Sequence, residues 1–129
     1  MKIVFLDANV LWSAATNPTR PHWAVFTSPK PRAHFITSHY AVAEARRNVD
    51  AKAGPELARL ISHLRIVVDA FGPPPAGVML PGKDVPILAS ATAAKADLLV
   101  TGDDHFGQYF GRRLGGVKII LPRSLAAEL

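Results

Sequence analysis

Apolar residues recur along this chain in two rhythms. Short continuous runs bounded by turn residues mark strands covered on both faces. They fall at residues 2–6, 34–37, 65–68, 98–100 and 117–120. Between them the apolar positions take helical spacing. Residues 10–15 read as a short helical turn, and Asn17-Pro18-Thr19-Arg20-Pro21 as a loop by its turn chemistry. Pro21 suits the start of a helix carrying His22, Trp23, Val25 and Phe26, which Pro29 and Pro31 end. Ser38 can cap a helix over 40–51. A further amphipathic helix over 56–64 puts Leu57, Leu60, Ile61 and Leu64 on one face. Residues 72–77 are too rich in proline and glycine for either element. Asp84 stands at an N-cap with Pro86 in the first turn of an alanine-rich helix over 85–95. Residues 107–116 are mixed, and Pro122 opens a terminal helix that runs through Leu129.

Strands alternating with helices predict an α/β fold, one domain over residues 1–129 with a central parallel sheet of about five strands between helical layers. Right-handed crossovers then set the strand ends that bear acids along one edge. A length of 129 residues supports one real core and is small for two. No apolar run is long enough to span a bilayer, and residues 1–2 lead into a strand rather than a signal segment. Cysteine is absent, which excludes disulfides and thiolate metal sites and fits a reducing cytoplasm.

Charge narrows the reading. Fifteen Lys and Arg stand against ten Asp and Glu, giving +5, and the pI is near 10.0. A solvated basic surface would explain this, and so would a polyanionic partner such as nucleic acid. The acids break the tie. Asp50, Glu56 and Glu128 suit exposed helical positions, while Asp69 and Asp97 flank strands. Asp7 and Asp103 instead terminate buried strands, where a carboxylate is costly without partners. Asp84 opens the helix that feeds the second of those strands, and Glu44 rides the helix after strand two. Four acids converging on one sheet edge repel each other unless a cation neutralises them, and hard divalent ions such as Mg²⁺ or Mn²⁺ take oxygen-rich sites. Asn9 either meets a ligand or shapes the Asp7 loop, and Thr101 either orients Asp103 or ends its strand. Asp104 reads as a turn residue beside the site, and His105 as structural or a phosphate contact. No nucleophile elbow, P-loop or dinucleotide fingerprint is present.

Three stretches resemble the PIN-domain ribonucleases: Ile3-Val4-Phe5-Leu6-Asp7-Ala8-Asn9-Val10-Leu11, Glu44 on the second helix, and residues 83–89 followed by Asp97-Leu98-Leu99-Val100-Thr101-Gly102-Asp103. The likeness continues through His105-Phe106 to residues 116–122, and is strongest to the VapC-like toxin components of toxin–antitoxin pairs. The proline-rich loop before Met79 and the Asp104 beside Asp103 depart from that pattern. The resemblance implies a Mg²⁺- or Mn²⁺-dependent endoribonuclease that leaves 5′-phosphate and 3′-hydroxyl ends. Asp7, Glu44, Asp84 and Asp103 would hold the metal, supported by Asn9, Thr101 and Asp104. It also implies a homodimer and a cognate antitoxin. Lys83, Arg46 and the Arg112-Arg113 pair are candidates to grip RNA phosphates. The alternative is a non-catalytic RNA- or protein-binding domain of the same fold.

Overall fold

A computed structural model of the chain describes residues 1–19 and 21–129. Arg20, and the side chains of Pro21, His22 and Trp23 foreseen on a helix, lie outside the described residues. Strands β1 (Ile3–Leu6), β2 (His34–Ser38), β3 (Arg65–Val67), β4 (Leu98–Val100), β5 (Arg113–Leu114) and β6 (Val117–Ile120) form one sheet. Their order is β3-β2-β1-β4-β6-β5, parallel except for the β5–β6 pair. Helices α1 (Ala8–Thr16), α2 (His39–Asn48), α3 (Gly54–Ile61), α4 (Val85–Ala93) and α5 (Leu125–Glu128) flank it. The mixed α/β architecture with a mostly parallel central sheet is the one expected.

The core explains the register. Phe5, Leu6, Leu99, Val100, Ile36 and Ile119 are almost fully buried, as strands covered on both faces require. Phe5 pairs with Ile36 on one side and Leu99 on the other, and Val100 pairs with Ile120. Chain order steps outward from β1 through β2 to β3, then returns to β4 on the other side of β1. The strand order therefore reverses between β1 and β4, and open parallel sheets bind ligands beyond the carboxyl ends at such a point.

Several boundaries differ from the sequence reading. A sixth strand, β5, joins β6 through Gly115-Gly116, both at positive φ (58° and 88°), the backbone that a tight two-residue hairpin needs. Helix α1 starts at Ala8, so Asn9 is helical rather than part of a loop. Helix α2 stops at Asn48, because Val49 turns extended and the Asp50 carboxylate accepts the Ala53 N–H in a turn of its own. Asp50 is thus in a turn, not on a helix. Helix α3 covers Gly54–Ile61 instead of 56–64, taking Pro55 into its first turn. The segments Pro21–Thr27 and Pro122–Ser124 are 3₁₀ turns.

Candidate metal centre

The site begins with two strands that end in step. Leu6 pairs with Val100, so Asp7 and Thr101 emerge side by side, and the Asp7 N–H donates to the Val100 carbonyl at 3.1 Å. Asp7 caps α1, its Oδ1 accepting from the Ala8 N–H at 2.6 Å, while Oδ2 accepts from the Thr101 hydroxyl at 2.8 Å. The carboxylate is only 3% exposed. The Thr101 Oγ1 in turn accepts from Asn9 Nδ2 (3.2 Å) and the Asp103 N–H (3.0 Å), which uses its donor and both lone pairs. The Asn9 Oδ1 accepts the Gly102 N–H at 2.9 Å. Asn9 and Thr101 thus tie the two strand ends together, Thr101 orienting Asp7 as well as Asp103.

Asp103 caps the 3₁₀ turn Asp104–Tyr109 by accepting the His105 N–H at 2.9 Å. The His105 Nδ1 then lies 2.8 Å from Asp84 Oδ2 and 3.1 Å from Asp103 Oδ1. Asp84 holds the N-cap position of α4 but makes no capping bond. Its backbone is already helical (φ −92°, ψ −16°), whereas an N-cap side chain reaches back from extended backbone. The N-cap position is the one expected, but in place of a capping bond the buried Asp84 carboxylate serves His105 and faces the other acids. Glu44, on α2 one turn beyond Tyr40, completes the set.

All four acids line one cleft of about 270 Å³, whose rim adds Trp12, Asn48 and Lys83. Burial raises the Asp7 carboxyl to about 7 against the help of its hydrogen bonds, and the charges of Asp84 and Glu44 add to the rise. Burial also raises Asp84 to about 6, reinforced by Asp103 and opposed by His105. The Tyr40 phenol is raised by burial, then by Glu44 and Asp84. Among the described residues no Lys or Arg comes within ion-pair distance of these four acids.

The donor set fits a divalent cation. Asp84, Asp103 and His105 each offer a ligand atom, all within 4.8 Å of one another. Asp7 and Glu44 stand in the same cleft outside that trio. Carboxylate oxygens suit Mg²⁺ and Mn²⁺, and an added imidazole is compatible with Mn²⁺ and later transition ions. A cation would offset the burial that raises Asp7 and Asp84 and the repulsion from the other acids that adds to it.

Other candidates fall elsewhere. Asp104 is exposed at the start of its 3₁₀ turn and does not line the cleft. Arg46 borders a separate hollow with Val49 and Leu57. Arg113 pairs with Lys118, which pairs with Leu98, so it lies toward the amino ends of the strands. Sequence reasoning passed over Trp12 and Asn48 and gave His105 little weight. The one available signal was spacing: Trp12 follows Asn9 by three residues, one helical turn.

Among the described residues no helix is long and apolar enough to cross a membrane. No family model and no curated protein matches this chain. Solved structures do match. A chain in the crystal structure of VapBC2 from Rickettsia felis, bound to a DNA fragment from their promoter, superposes with a TM-score of 0.62. It is 16% identical, and the match covers 92% of this chain and 98% of that one. The chain therefore shares its fold with a component of that complex.

Proposed function

We propose that this protein is a metal-dependent endoribonuclease that hydrolyses RNA phosphodiester bonds, the toxin of a type II toxin–antitoxin pair. In this reading residues 1–129 are one PIN-like domain acting in the cytoplasm as a homodimer restrained by an antitoxin. One observation carries it: a buried Asp7 at the end of β1 shares a cleft with Asp84, Asp103 and Glu44, with no Lys or Arg among the described residues paired to any of them. The basic balance of the whole chain and the fold likeness to a VapBC2 component support it.

Asp84 and Asp103, with Asp7 and Glu44 directly or through water, would hold Mg²⁺ or Mn²⁺. When bound, such an ion supplies a water of lowered pKa and stabilises charge on the phosphoryl oxygens. The protein's own part is positioning. Thr101 fixes one oxygen of Asp7 and the backbone of Asp103, and Asn9 keeps Thr101 in place. His105 Nδ1 lies between Asp84 and Asp103, in reach of both. Lys83, on the cleft rim, offers a phosphate a cation without neutralising the acids.

The test is cleavage of a mixed RNA pool by wild type and Asp103→Asn, with Mn²⁺ or Mg²⁺ and with chelator. Cleavage should require metal and fall by about 100-fold or more in the variant, since even outer partners of metal ligands are worth 10–100-fold. Equal cleavage by both proteins would point to a contaminant or another site. Binding of RNA without cleavage by either would move the function to a non-catalytic binding domain.

A further inference from the structure

The rim of the cleft differs in chemistry from its floor. Trp12 is 41% exposed and does not belong to the packed core or to the apolar side chains resting on it. A lone exposed aromatic is ordinary on a protein surface, but this one lines the cleft that holds the four acids. Its position sharpens the point. Trp12 lies one turn beyond Ala8 and Asn9 on α1, so helix geometry holds the indole beside the acids. Asn48 of α2, whose Nδ2 donates to the Glu44 carbonyl, lines the same cleft. Lys83 completes the rim, and Arg47 and Lys83 both lie near enough to Tyr40 to oppose the acids' effect on its phenol. Aromatic faces interleaved with cations are the usual make-up of a track for unpaired nucleic acid.

We infer that Trp12 is the base-stacking platform of a single-stranded RNA track, seating an unpaired base beside the phosphate that the acid cleft receives. This rests on the nuclease reading and adds to it a residue that positions the substrate. In a duplex both faces of a base are covered by its neighbours, so an indole at the cleft mouth selects RNA whose bases are free to turn out. Lys83 takes the flanking phosphate. Stacking tolerates any base, so this platform selects strandedness rather than sequence.

The experiment separates the two claims. An Asp103→Asn, Trp23→Phe protein leaves Trp12 as the only indole, and it is titrated in Mg²⁺ with a single-stranded oligouridylate of about eight nucleotides, within the usual site size. Indole quenching should saturate with the binding curve, and the same strand annealed to its complement should quench far less. With the binding read instead from the anisotropy of the same strand carrying a 5′-fluorophore, Trp12→Ala should weaken it by roughly tenfold or more, and Trp12→Phe by about threefold or less. An unchanged melting temperature in both variants rules out unfolding as the cause. No binding, binding indifferent to Trp12→Ala, or equal quenching by duplex would overturn the platform; Trp12 would then be a protein contact. Failure of the wild type to cleave would sink the nuclease reading alone, since the titration does not depend on cleavage.

Discussion

The sheet carries carboxylates at both ends, and the two ends treat them in opposite ways. At the amino ends each acid has a dedicated partner. Asp97 Oδ2 accepts the Ile3 N–H at 2.8 Å, and Glu128 receives Lys118 Nζ at 2.6 Å with Lys2 at 3.7 Å. Lys118 holds the Glu128 carboxyl below its ordinary range. The hollow of about 570 Å³ near that end, rimmed by His34, His63 and Arg65, has no acid among its described lining residues. At the carboxyl ends the balance is reversed. Asp7 and Asp84 are buried and raised, and the single base between carboxylates is an imidazole. One end uses charge to hold strands and the terminal helix together. The other crowds its carboxylates together with His105 as the one basic partner among the described residues, an arrangement that a bound cation would relieve.

Thr101→Val cuts deepest into that contrast without touching a proposed ligand. Valine keeps the volume but removes the hydroxyl that serves Asp7, Asn9 and Asp103 together. The expected loss is roughly 10–100-fold in metal affinity, with cleavage falling in parallel, as for other second-layer partners. Stability should also fall by about 1–3 kcal/mol, because buried polar groups lose their partner. Metal titration and chemical denaturation check the two effects separately. Unchanged metal affinity would make Thr101 a strand terminator and nothing more.

How much of this could be read beforehand depends on the range of the interactions. The five parallel strands were legible because each is a continuous apolar run, whereas β5 is two residues long and announced only by Gly115-Gly116. Asp7 and Asp103 stood out locally, as carboxylates abutting buried strands. Their supports did not, since Asn9 reaches Thr101 across 92 residues and His105 reaches Asp84 across 21. Asp84 does stand at the N-cap as expected, with Pro86 in the first turn, but without the capping bond. Sequence signals the capping position, but a backbone already helical denies the side chain its capping bond and turns it to the cleft. Arg112-Arg113 looked like a phosphate grip because pairing by charge ignores the hairpin that carries Arg113 toward the other end of the sheet.

A smaller effect follows from pH, and its sign is fixed by the direction of the shifts. Asp7 and Asp84 have folded values near 7 and 6, above the ordinary 3.8. Their neutral forms favour the folded state, so this contribution is full below about pH 4 and is lost as pH rises toward about 7. The melting temperature of metal-free wild type should therefore fall several degrees more across that window than that of Asp7→Asn, which has no carboxyl to titrate there. Mg²⁺ or Mn²⁺ at neutral pH should restore the wild type and do less for the variant. Thermal melts with chelator and with metal read both. Parallel pH profiles for the two proteins would mean that Asp7 is satisfied as it stands.

The smallest expected effect tests the balanced end. Glu128→Gln removes a carboxylate whose side chain is 20% exposed and whose partners are 29% and 48% exposed, and pairs at the surface contribute about 1 kcal/mol or less. Because the folded value is lowered, that contribution is present at neutral pH and lost as the solution is acidified below the ordinary carboxylate range. The melting temperature should drop slightly at neutral pH, and the difference should shrink in concentrated salt, where such pairs are screened. Metal affinity and RNA cleavage should not change. A loss of cleavage would show that the two ends are coupled through the sheet, because Lys118 sits on β6, whose Ile120 carbonyl accepts the Thr101 N–H. Independence of the ends would instead assign Glu128 wholly to folding and leave the crowded acids as the part of the molecule reserved for function.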